Sequence, residues 1–109
     1  MLDVILKRFD NPDEVRLFEK GRFKIVTIGG MTIGRATYQP GWKWSEHVSS
    51  IAGTPFCELE HVGMVLSGRA TAAMIGGEIY ELGPGTLFYV PPIAHDSWVV
   101  GDEPYDDNE

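Results

Sequence analysis

Apolar and polar positions alternate with a period of two along most of the chain, in short runs cut by glycine and proline. That period predicts half-buried β-strands. Nine runs fit it: Asp3–Arg8, Phe23–Ile28, Met31–Tyr38, Trp42–Val48, Cys57–Leu66, Arg69–Ile75, Glu78–Leu82, Thr86–Val90 and His95–Val100. Turn residues separate them, among them Gly29-Gly30, Pro40-Gly41, Ser67-Gly68, Gly76-Gly77 and Gly83-Pro84-Gly85. Only one segment reads as helical. Asn11 can cap it, Pro12 suits its first position and Asp13 and Glu14 suit its first turn, so a turn or two is expected within Pro12–Lys20. The expected fold is all-β: about nine short strands forming an antiparallel sandwich or barrel, with at most one short helix.

Composition narrows the classes. A chain of 109 residues has room for one domain. At 43% hydrophobic and 11% aromatic residues it can bury a core, which excludes global disorder. No apolar run approaches the roughly 20 residues of a membrane helix. Met1–Phe9 carries Asp3, Lys7 and Arg8 and does not read as a secretory signal. The single cysteine, Cys57, rules out an internal disulfide framework and suits a reducing cytoplasm. Net charge is −7, and five of the sixteen acidic residues, with no basic one, fall in 101–109. Those residues read as a solvated acidic C-terminal tail after a domain spanning 1–100. No basic cluster exists to neutralise phosphates, which disfavours nucleic acid as a partner.

Candidate chemistry rests on three histidines, His47, His61 and His95, each on or at the start of an expected strand. Singly, a strand histidine is more often a satisfied structural residue than a ligand. The reading changes only if all three converge.

The stretch from Gly41 to Trp98 resembles the cupin double motif. Its first part is Gly, five residues, His, one residue, His, a short gap, Glu, six residues, Gly. Here five residues separate Gly41 from His47, and six separate His61 from Gly68. Its second part is Gly, five residues, Pro, then His; here Gly85, TLFYV, Pro91 and His95. Departures accompany the match. Ser49 stands for the second His and His61 for the Glu. Ser50–Glu60 lengthens the gap, PPIAH lacks a glycine, and Thr86 replaces an Asp. The resemblance implies a small jelly-roll barrel, commonly a homodimer.

It further implies one divalent metal, Fe, Zn, Ni or Mn, held by His47, His61 and His95 in place of three His and a Glu. Three protein ligands leave positions open for water or substrate, as catalytic sites do. Neutral ligands leave the ion's charge uncompensated, which favours a small anionic organic substrate. The expected activity is metal-dependent, of dioxygenase type, with isomerase chemistry less well supplied because no spare His remains as base. The alternative is a non-catalytic barrel that senses a small molecule or a metal.

Alternation turns Glu58 and Glu60 to the face opposite Cys57, Leu59 and His61, and turns Glu46 and Asp96 away from their neighbouring histidines. Cys57 reads as a reactive thiol at a pocket mouth or as a small buried hydrophobe. Trp42, Trp44 and Trp98 read as pocket walls or core fillers. Arg35 and Arg69 could meet a substrate carboxylate, or carboxylates on adjacent strands.

Overall fold

The computed structural model describes residues 2–109, and its regular structure is mostly short antiparallel strands. These are β1 (Glu14–Phe18), β2 (Gly21–Ile28), β3 (Met31–Tyr38), β4 (His61–Ser67), β5 (Arg69–Met74), β6 (Ile79–Leu82), β7 (Leu87–Val90), β8 (His95–Asp96), β9 (Val99–Val100) and β10 (Tyr105–Asn108). Two four-residue helices, α1 (Trp44–His47) and α2 (Ser49–Ala52), follow β3. One sheet runs β1-β2-β3-β10-β4-β7; the other runs β6-β5-β8, with β9 also on β5. The all-β jelly-roll expectation holds, with ten strands among the described residues.

Local chemistry accounts for the turns. Gly29 and Gly30 both have positive φ, 58° and 79°, the conformation a two-residue hairpin demands, and Ile28 pairs Met31 across them. Gly68, at φ 74°, turns the chain from β4 in one sheet to β5 in the other. Its Cα lies so close to the Pro104 carbonyl that a side chain there would collide.

Four expectations are corrected. The Pro12–Lys20 segment is a strand: Glu14–Phe18 pairs residue for residue with Ile25–Gly21. The alternation of Arg16 and Phe18 against Val15 and Leu17 suits a ladder, and pairing with β2 overrides the capping signal. Trp42–Val48 is largely helical, because Asp96 and His47 stabilise the turn. Asp96 accepts from the Ser45 amide (3.0 Å) and hydroxyl (2.7 Å), and His47 Nδ1 accepts from the Lys43 N–H (2.9 Å). Asp96 is therefore buried. Asp3–Arg8 forms no strand; Leu2, Val4 and Leu6 are exposed. The supposed tail contains β10, inserted between β3 and β4.

The core lies between the sheets. Trp42, Val65, Ala70, Val99 and Tyr105 form its centre, with Phe18, Tyr38, Leu82 and Phe88 packed around them. Tyr38 stacks on Trp42 at 3.8 Å and 3°.

Candidate functional site

Cys57 sits on the four-stranded side of the barrel. It pairs with His95 as an isolated antiparallel bridge, each residue's N–H donating to the other's carbonyl at 2.9 Å. His61 opens β4 in the opposite sheet, paired with Val90 of β7. The three side chains meet inside the barrel. Cys57 Sγ lies 3.3 Å from His61 Nε2, and the His61 and His95 rings stand edge to face at 5.3 Å. One donor atom from each of Cys57, His61 and His95 falls within 4.8 Å of the others.

Each ring is oriented from behind. His61 Nδ1 lies 2.8 Å from Glu109 Oε1. His95 Nδ1 donates to the Ile93 carbonyl at 2.9 Å. Glu109 is itself fixed by two backbone hydrogen bonds to Gly34 of β3. Both imidazoles thus present Nε2 to the interior.

Electrostatics follow from this packing. Burial alone would raise the Cys57 thiol, but hydrogen bonds from His61, His95 and the Leu59 backbone outweigh it and bring the thiol down to about 6. Burial opposes charge on His61, yet its bonds to Cys57 and Glu109 lift it to about 10. His95 is raised chiefly by Cys57, against desolvation. A thiolate–imidazolium pair results at neutral pH. Behind it, burial and then the Glu109 charge push Asp107 well above the carboxylate range, so Asp107 keeps its proton. Burial also works against Glu109, but His61 outweighs it and holds that carboxyl low. The Tyr105 hydroxyl donates to Asp107 at 2.6 Å. Tyr105 and Asp107 of β10, and Glu109 just beyond it, therefore lie behind His61.

Of the three expected histidines, His61 and His95 come together and His47 does not join them. Its ring caps α1, with Nε2 4.0 Å from Glu19. Cys57 takes the third place. Glu46, Glu58 and Glu60 are exposed, and Glu60 accepts from the Tyr89 hydroxyl at 2.7 Å. Arg35 lies 3.5 Å from Asp106 and Arg69 3.4 Å from Glu81, both pairs between carboxylates and strand arginines. Trp42 and Trp44 line the pocket above the cluster, while Trp98 stacks under the Lys43 ammonium. No motif points to Asp107 and Glu109; their i, i+2 spacing after Tyr105 is the one sequence signal for them.

No protein-family model and no curated protein sequence matches the chain. Solved structures do. The polyketide cyclase RemF from Streptomyces resistomycificus aligns over 99% of this chain and 77% of its own, with 16% identity and a TM-score of 0.66. A cupin 2 conserved barrel domain protein from Salinispora arenicola aligns over 99% and 86%, with 16% identity and a TM-score of 0.61. Oxalate decarboxylase from Lactobacillus farciminis aligns over 88% of this chain but 30% of its own, with 17% identity and a TM-score of 0.60. Identities this low carry architecture alone, and the architecture these structures share with the chain is the cupin barrel.

Proposed function

We propose that Cys57, His61 and His95 hold one divalent metal ion and that the protein is a metal-dependent enzyme acting on a small organic molecule. The observation that carries this reading is the orientation of both imidazoles. Metal-binding histidines characteristically give their second ring nitrogen to a carboxylate or a backbone carbonyl, as His61 does to Glu109 and His95 to Ile93. The donor set fits: a thiolate with two imidazoles suits zinc, iron or copper and leaves a coordination position open. Its protons would be displaced by the ion, since ligands bind deprotonated.

When bound, the ion supplies Lewis acidity or, if iron, redox chemistry toward oxygen, so a dioxygenase-type reaction stays within the proposal. The chain's own groups do the rest. Glu109 fixes the His61 tautomer, Ile93 that of His95, and the apolar residues Leu82, Phe88 and Val90 of the inner pocket exclude water. A thiolate donor already offsets one positive charge, so the centre depends less on an anionic substrate than three neutral imidazoles would. A free thiolate suits a reducing compartment, and a cytoplasmic location belongs to the same proposal. No helix among the described residues is long and apolar enough to cross a membrane. A homodimer belongs to it as well, supported by the exposed apolar residues Leu2, Val4 and Leu6.

The test is calorimetric titration of metal-free protein with Zn²⁺ and, without oxygen, Fe²⁺. Replacing Cys57 by Ser, or His61 or His95 by Ala, should weaken binding at least about tenfold. His47→Ala should leave it unchanged. Equal loss from His47→Ala would restore the three-histidine set and overturn this one. Oxygen uptake by the iron form with a candidate substrate then separates an enzyme from a sensor.

A second reading has its own support. The order thiol, imidazole, carboxylate at 3.3 and 2.8 Å is that of an activated nucleophile. Rapid alkylation of Cys57 that saturating metal fails to slow would favour it.

A further inference from the structure

A wide apolar recess adjoins the cluster. A groove of about 750 Å³ is lined by α1 and α2 on one side and by β1 and β2 on the other. Phe18, Phe23, Tyr38, Trp44 and Ile51 form its walls, and His61 and Glu109 stand at its inner end. Tyr38, Trp44, His61 and Glu109 also line the inner pocket around Cys57 and His95, so the groove adjoins the cluster across these shared walls. Polar groups occur only at the ends. At the rim, Arg16 is paired with Glu14 at 2.8 Å and Glu60 is occupied by the Tyr89 hydroxyl.

We propose that this groove binds a planar aromatic molecule carrying one weakly acidic hydroxyl, with its rings between Phe23, Tyr38 and Trp44 and its hydroxyl at His61 and Glu109. The proposal names the substrate class of the site described above and rests on that reading for the chemistry, though not for the binding. Volume, aromatic walls and the polar inner end each contribute. The recess is of the size that encloses drug-sized ligands. Walls made of Phe18, Phe23, Tyr38 and Trp44 favour an aromatic ring over a saturated one. The inner end holds the Glu109 carboxylate and the rim holds Glu60, so an anionic headgroup is repelled. A hydroxyl enters neutral and donates to Glu109.

The test uses metal-free full-length protein and three probes: naphthol, naphthoate and decahydronaphthol, titrated by calorimetry. Naphthol should bind at least about tenfold more tightly than either of the others. Ile51→Glu at the mouth and Trp44→Ala on the wall should each weaken it by a similar factor, with an unchanged circular dichroism spectrum. Ile51 is 70% exposed, so its replacement tests the groove without touching the core. Equal affinity for all three probes, or naphthol binding indifferent to both substitutions, overturns the proposal. So does binding that appears only after residues 2–8 are deleted, which would assign the groove to the N-terminal arm of a second copy. Loss of metal binding alone would sink the metal reading and leave the groove; loss of naphthol binding alone would do the reverse.

Discussion

A thiol pressed between two imidazoles has to share its proton with them, and here the sharing leaves Cys57 ionised. Its group lies at about 6 and His61 at about 10, so metal-free protein carries the thiolate–imidazolium pair between those limits. As pH falls through about 6 the thiolate takes up a proton and the pair is lost. Ultraviolet thiolate absorbance should therefore titrate near 6 in the metal-free protein. In His61→Ala the midpoint should climb toward the ordinary thiol value of about 8.5, and in Glu109→Gln it should move the same way by less. A wild-type midpoint already near the ordinary value would refute the geometry. The same pair explains what was legible. His61 and His95 stood out because histidine is scarce and their distances to Gly68 and Pro91 are regular. Cys57 did not, because the first motif was anchored on Gly41 and His47, which made the gap to His61 too long. Counted back from His61, a short gap of three residues, Glu58 to Glu60, ends on Cys57. A cysteine at a ligand position also resembles a small core residue by every compositional measure.

Strand β10 shows why an acidic run can mislead at the level of an element. Charge alone made 101–109 look solvated, but alternation within it sends Tyr105 and Asp107 inward and Asp106 and Asn108 outward. Sheet neighbours absorb the charge. Asp106 accepts from the Thr37 hydroxyl at 2.6 Å and faces Arg35, while Asp107 stays protonated. None of this is visible without knowing that β3 and β4 flank the strand. Tyr105 is 2% exposed at the centre of the core, so Tyr105→Ala should cost about 3 kcal/mol, read from the urea midpoint. Gly68→Ala should cost more than about 1 kcal/mol by the same measurement, since it needs both positive φ and the space held by the Pro104 carbonyl. The α1 segment failed for the opposite reason. Trp42–Val48 alternates well enough for a strand, and only the remote Asp96 carboxylate reveals its turn.

For the whole molecule, strand count and turn positions were readable because glycine pairs and period-two runs are local signals. Which sheet each strand joins was not, because that depends on contacts between distant segments. The outer face of β4 and β7 exposes Val62 (65%) and Leu87 (78%), and the N-terminal arm exposes Leu2 and Leu6. Two such apolar surfaces on one small chain predict self-association. Sedimentation equilibrium should show a dimer, and Val62→Lys with Leu87→Glu should weaken it at least about tenfold; a wild-type protein monomeric at high concentration would contradict this. Finally, the cluster draws on both layers of the barrel. Cys57 and His95 are locked to each other by backbone bonds on one sheet, whereas His61 and Glu109 belong to the other. Whatever bridges them is a clasp across the sandwich. Its occupancy should slow the opening of the whole barrel, so that amide exchange in strands far from the pocket would report whether the clasp is shut.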